Sequence, residues 1–256
     1  VTYDVTLAPF DANIQFGSWV NDFLYRQLIQ PVDKHMFPMS PIAVNAFYSP
    51  SANSINILAG ILQEPLYKFD YPKSINYGGI GSVIGHEITH GFDDQGSQYD
   101  LNGNLEDWWN EQSKIEFMSK TECVSNQYSS YSLPEVQINV NGQQTVGENI
   151  ADIGGIKIAY QAYQNYVRDN GPEPRLPGLE DLTGNQLFFL SFARFYCQKA
   201  NPELLRLLAL IDVHSPSRIR VLGSLSNTDA FAAAFNCPTG SRYNPAPSES
   251  TKCQVW

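Results

Sequence analysis

The chain has 256 residues, 43% of them hydrophobic, which is enough to bury a core and too many for a disordered segment. Acidic residues outnumber basic ones 26 to 16, a formal charge of −10. The basic footprint of a nucleic-acid binder is therefore missing, an anionic membrane surface would repel the chain, and no run approaches the ~20 apolar residues of a membrane span.

Val1 to Phe10 has neither the basic start nor the apolar core of a leader, and the first residue is not Met. The chain reads as the processed or excised part of a longer protein. Next, Ile14, Phe16, Trp19, Val20, Phe23, Leu24, Leu28 and Ile29 recur mostly at steps of three and four. That predicts a helix over 11–30, stopped by Pro31. Two short strands, 44–48 and 55–58, follow around the turn Ser-Pro-Ser-Ala-Asn-Ser. The glycines at 78, 79 and 81 lead into a buried helix over 83–92. They lack the G-x-G-x-x-G spacing and the following acid of a dinucleotide site, so tight helix packing explains them better.

A second long helix is predicted over 105–129. Residues 136–140, the Asn141-Gly142 turn and 143–146 read as a β-hairpin. Beyond it, Ile150, Ile153, Ile156, Tyr160, Tyr163 and Val167 mark one face of a helix over 147–167. Further helices are expected over 186–199 and 227–235, and over 201–211, where Asn201 caps and Pro202 takes the first turn. The loop 170–178 is the best internal break, yet no linker divides the chain convincingly. The class is α+β and mostly helical.

Cys123, Cys197, Cys237 and Cys253 are far apart and form no C-x-x-C pair, which weakens a thiolate zinc site or a redox motif. Their even number and distant spacing suggest disulfides and an oxidising, extracellular setting. The chain contains no Asn-x-Ser/Thr acceptor, so glycosylation lends that setting no support.

His86-Glu87-Ile88-Thr89-His90 carries the most chemistry. Residues four apart share a helix face, so both imidazoles can reach one Zn²⁺ at ~2.0–2.1 Å, with Glu87 placed to take a proton from the activated water. A catalytic zinc also needs a third protein ligand and an open position. Glu148 and Asp152 are four apart at the start of a predicted helix. One can bind metal while the other receives the N–H of a ligating His. Their spacing fits two solvated acids at a helix N-terminus equally well.

Several separated segments share an order. They are Asn45-Ala46-Phe47-Tyr48, HEITHGFDD at 86–94, GENIAD at 147–152, DVHSP at 212–216 and Cys253-Gln254-Val255-Trp256. In these the chain resembles the neprilysin family of zinc endopeptidases, from about Asn45 to its last residue. The resemblance implies a thermolysin-like zincin (gluzincin) catalytic domain. Residues 1–256 would be its carboxyl-terminal catalytic part, with the family's amino-terminal lobe absent from the chain.

It implies one Zn²⁺ per chain, bound by His86, His90 and Glu148, with Glu87 as general base. Asp152 would orient a zinc-bound His, Asp93 would do the same for His90, and His214 would hydrogen-bond the oxyanion. Arg220 matches the substrate-gripping arginine, with Arg218 a nearby competitor, and Asn45 and Ala46 match residues that hold the substrate backbone. Val83 and Ile84 would add an apolar subsite favouring cleavage before large hydrophobic residues. Without the resemblance, His214 fits a capped helix end before Pro216, Arg220 a surface arginine and Asn45–Ala46 an ordinary edge strand.

By the same resemblance Cys123 pairs with Cys253, while Cys197 and Cys237 bond to an amino-terminal lobe or partner chain. The expected function is zinc-dependent hydrolysis of internal peptide bonds, on peptide substrates and not nucleic acid. The protein would be extracellular, either secreted or the ectodomain of a single-span membrane protein. The alternative is a catalytically silent binding module, or a structural half that needs a partner chain.

Overall fold

Pro9 opens the helix α1 (Pro9–Gln27), a position where its missing N–H costs nothing and its fixed φ suits the first turn. The rings of Phe16, Trp19 and Phe23 succeed one another along it at 5.9 and 5.8 Å, as spacings of three and four residues allow. The computed structural model describes residues 8–31, 33, 37, 39–246 and 252–256, so most of the stretch 1–10 read above lies outside the described residues. The chain separates into two compact units, Val1–Met36 and Phe37–Trp256, and the expected break at 170–178 falls inside the second. Among the described residues no helix is long and apolar enough to cross a membrane.

In the second unit, β1 (Ala46–Ser49) and β2 (Ser54–Ile57) form the predicted antiparallel pair, Ala46 opposite Ile57 and Ser49 opposite Ser54. Asn53 closes their turn in the left-handed region, which asparagine tolerates better than most residues. The far edge of β1 has no strand beside it among the described residues. Then α2 (Lys73–Asn76), a wide π turn over Tyr77–Gly81 and α3 (Ser82–His90) continue one another.

The second long helix, α4 (Glu111–Ser129), starts later than predicted. Asn110 caps it by accepting the Ser113 N–H at 2.9 Å, which leaves Trp108 and Trp109 in the loop before it. The predicted hairpin over 136–146 does not form. Instead β3 (Ser132–Leu133) pairs with β4 (Ile138–Asn139), and Gln137 takes the positive φ of their turn. Asn141-Gly142 does make a turn, but it leads into a helix, because the Gly142 N–H is held by Ser129 Oγ at 3.1 Å and the Thr145 N–H by Asn141 O at 3.1 Å.

That helix, α5 (Val146–Asn170), is the longest described. A reciprocal Thr183–Gln186 capping box begins α6 (Gly184–Phe195). Asn201 begins α7 (Pro202–Ile211) as expected, accepting the Leu204 N–H at 2.8 Å. A helix not anticipated, α8 (Ser217–Ser226), comes after Pro216, and α9 (Asp229–Ala234) ends the series. A Cβ at Gly78 would lie 2.1 Å from Phe188 O, so close packing against α6 does account for a glycine there.

α5 is common to the two larger core clusters. Val146, Ile150 and Ile153 pack with Val124, Tyr128, Ile219 and Val255, while Ile156, Ala159 and Tyr163 pack with Phe188, Phe189, Phe192 and Leu225. Each fully buried side chain of this size stabilises the fold by about 1.5–3 kcal/mol. A smaller cluster of Ala46, Ile61, Leu66 and Ile80 seats β1 against the π turn. Cys123 is joined to Cys253, the pairing the resemblance implies, and Cys197 and Cys237 carry free thiols.

Candidate metal centre and active site

Two glycines let α3 and α5 cross with their backbones touching. A Cβ at Gly85 would lie 2.5 Å from Gly155 O, and one at Gly155 would lie 2.6 Å from His86 N. Only glycine permits this approach. It brings the histidine face of α3 against the first turns of α5, where Glu148 and Asp152 point the same way.

One donor atom each from His86, His90 and Glu148 lies within 4.8 Å of the others. The two Nε2 atoms face each other at 3.0 Å, with Glu148 Oε2 3.3 Å from His86 Nε2 and Oε1 3.6 Å from His90 Nε2. Behind them, His90 Nδ1 lies 2.6 Å from Asp93 Oδ2. Asp93 is itself fixed, its Oδ1 accepting the N–H groups of Gln95 and Gly96 at 2.8 and 2.7 Å. His86 Nδ1 lies 2.9 Å from Asp152 Oδ1, an approach bent away from a linear hydrogen bond.

With each Nδ1 facing a carboxylate, the Nε2 lone pairs converge, and two lone pairs at 3.0 Å repel unless a proton or a cation lies between them. Burial alone would lower the His86 pKa, but Asp152 and Glu148 outweigh it and raise it to about 9. Glu148 Oε2 is buried and receives no directed hydrogen bond. Two imidazoles and a carboxylate are the donor set of a catalytic zinc, and a pocket on which their lone pairs converge fits a divalent cation.

Burial pushes the Glu87 pKa up, and the imidazoles of His86 and His90 only partly oppose it. Burial acts on Glu148 in the same sense, but His214 and His86 outweigh it and hold Glu148 well below the usual carboxylate range. Environments that drive two carboxylates apart in this way suit one to proton transfer and the other to permanent charge.

Asp152, 2% exposed, is gripped by Arg220 through two bonds of 2.7 Å, Nε to Oδ2 and Nη2 to Oδ1. Tyr196 donates its hydroxyl to Asp152 Oδ1 at 3.1 Å, and its ring lies 4.9 Å from the guanidinium. Burial would raise the Asp152 pKa, but Arg220 and His86 keep it ionised. His214 stands opposite, with Nε2 3.2 Å from Glu148 Oε2 and Nδ1 2.7 Å from Asp212 Oδ1. The Glu148 contact raises its pKa against the effect of burial.

These residues line a cavity of about 720 Å³ together with Asn45, Ala46, Tyr48 and Val83. The cavity brings together the site residues expected from the sequence except Asp152, which lies behind His86, and Ile84. Arg220 lines it and Arg218 does not, because Arg218 is forked onto Glu135. Ile84 is absent from the wall and packs in the small cluster with Ala46. Tyr48, Gln144, Phe195 and Tyr196 line the cavity without having been singled out as site residues. Only Tyr48 carried a signal, its place in the Asn45-Ala46-Phe47-Tyr48 run.

Residues 45–251 match peptidase family M13. Neprilysin-11 of Caenorhabditis elegans is 51% identical over 93% of the chain, and endothelin-converting enzyme 1 of Homo sapiens is 51% identical over 99%. The chain spans 28% and 32% of those proteins, under a third of either. The likeness extends to solved structures. The inhibitor complex of Mycobacterium tuberculosis zinc metalloprotease ZMP1 superposes with a TM-score of 0.85 at 39% identity, over 95% of this chain and 37% of that one. The Haemonchus galactose-containing glycoprotein complex does so with 0.88 at 37% identity, over 98% and 41%.

Proposed function

The chain belongs to peptidase family M13, and from that premise we propose that it is the carboxyl-terminal catalytic part of a zinc endopeptidase that cuts peptides before large hydrophobic residues. The observation that carries the reading is the meeting of His86, His90 and Glu148, with a carboxylate behind each imidazole. Bound there, Zn²⁺ would polarise the scissile carbonyl and acidify the attacking water.

The remaining work falls to the chain's own side chains. Glu87 takes the proton of the attacking water and passes it to the departing amine. His214 donates from Nε2 to the oxyanion, a role that needs a donor fixed before reaction. Asp152 and Asp93 hold the ring orientations of His86 and His90. The far edge of β1 beside Asn45 and Ala46, which no strand covers among the described residues, takes the substrate backbone as an added strand. Arg220 commits two of its five N–H donors to Asp152, which leaves donors for a substrate carbonyl or terminal carboxylate. Val83 and Phe195 supply apolar wall for the side chain after the cut.

The span of under a third of the relatives' length supports an amino-terminal lobe outside this chain. Cys197, exposed, and Cys237 are the thiols that would bond to it or to a partner chain, in an extracellular protein, secreted or membrane-anchored.

The test is a quenched peptide with a central Phe or Leu, incubated with the zinc-loaded protein with and without a chelator. Chelator-sensitive cleavage before that residue is expected. Absence of cleavage would overturn catalysis by this chain alone and favour a half that works only with its partner.

A further inference from the structure

A line of buried side-chain hydrogen bonds runs beside the metal centre without entering it. Ser215 Oγ donates to Asn149 Oδ1 at 2.8 Å, Asn149 Nδ2 to Thr145 Oγ1 at 2.9 Å, and Thr145 Oγ1 to Asn141 O at 3.1 Å. Asn149 is 0% exposed and Ser215 3%, so neither can exchange its partner for bulk water. A second tie lies close by: Gln144 Nε2 donates to Asp212 O at 2.7 Å.

The two ties bracket His214. One holds Asp212 and the other Ser215, and both are rooted in 144–149, the segment that carries Glu148. Neighbouring residues on a helix point about 100° apart, so Glu148 can face the cavity while Asn149 grips the loop behind it. Packing does not explain the placing of His214, whose side chain is 44% exposed. Its fixed contacts are polar: its N–H and Nδ1 to Asp212 Oδ1 at 2.9 and 2.7 Å, and Nε2 towards Glu148.

We propose that Asn149, Ser215 and Gln144 are positioning residues that lock the His214 loop to the Glu148 helix, so that the oxyanion donor and the metal ligand keep one fixed spacing. The catalytic consequence rests on the oxyanion role proposed for His214; the locking rests on the geometry alone. A donor that drifts by an ångström stabilises the transition state less while binding of the ground state is little affected.

Ser215→Ala in the zinc-loaded protein should lower kcat about tenfold with KM within about twofold, and weaken a phosphonate peptide inhibitor by a similar factor. Zinc content should not change. In a His214→Gln background, Ser215→Ala should cost nothing further. Gln144→Ala, at a half-buried position that threatens folding less, should give the same cycle. A loss that adds to that of His214→Gln, or one confined to KM, would show that the bonds serve stability only.

A second readout needs no turnover. The Nδ1 proton of His214 can be identified by NMR from its absence in His214→Gln. It should exchange faster in both tie variants, and an unchanged resonance overturns the proposal. If the parent protein cleaves nothing but the resonance responds, the lock stands and the catalytic reading falls. If the parent cleaves and neither resonance nor kcat responds, the reverse holds.

Discussion

Glu87 and Glu148 line one cavity, yet burial raises the first while His214 and His86 overcome burial at the second. A base must be ionised to accept a proton and basic enough to keep it, which fits Glu87 and not Glu148. Glu87→Gln should therefore retain zinc, measured by metal analysis, and lose about 10²–10⁴-fold in kcat. The pH profile depends on the same residues. Activity should fall on the acid side as Glu87, raised above its ordinary 4.5, takes up a proton. With Nδ1 turned to Asp212, His214 carries a proton on Nε2 only as the cation, so an alkaline limb should appear and vanish in His214→Gln. His86 predicts behaviour of the metal-free form. A folded pKa of about 9 against an ordinary 6.5 gives stability that is full below 6.5 and lost as pH rises through about 9. Thermal melting with chelator present should show that decline, and zinc uptake at neutral pH should release the His86 proton, seen as a buffer-dependent heat.

At the scale of elements, the candidate ligand set depends on a crossing with no side chain in it. Gly155→Ala would place a methyl against the His86 backbone and push α3 and α5 apart, costing about 1–3 kcal/mol in denaturant titration and weakening zinc binding. The sequence pointed to the helices that carry the candidate ligands: H-E-x-x-H is a local spacing, whereas E-x-x-x-D fitted two solvated acids equally well until the family resemblance favoured Glu148. It did not show the crossing, which depends on glycines far apart in the chain. α7 was legible because Asn201-Pro202 is a start signal that needs no tertiary context. α8, which carries Arg220, was not legible in the same way, although Ile219, Leu222 and Leu225 repeat at steps of three and are buried. Pro216 looks like an end signal, and it is the residue before a beginning. The misplaced hairpin has a similar cause: Asn141-Gly142 is a turn in either fold, and the bonds it makes here, one of them to the distant Ser129, lead into a helix rather than a strand.

Across the whole molecule, the tail is fastened at several points. Cys253 is bonded to Cys123 over a separation of 130 residues, its N–H is held by the buried Asn227 at 2.7 Å, and Lys120 holds Val255 O at 3.0 Å. The Trp256 ring rests 5.7 Å from Phe92, just beyond α3, and 5.6 Å from Phe117. Cys253→Ser should lower unfolding free energy by about 2–5 kcal/mol in urea titration, since the link closes a long loop of the unfolded chain. The ring cluster and the Asn227 anchor were invisible from sequence, because each joins segments with no shared spacing. α5 ties these distant parts together, with Glu148 in its first turn and both larger core clusters along its length. A cation bound at one end of that rod would add its binding energy to the whole fold, about 4 kcal/mol at a thousandfold excess over Kd. Metal loading thereby becomes a matter of lifetime: a copy that never acquired its ion would open more often, and neighbouring proteases would clear it before an ion-bearing copy of identical sequence.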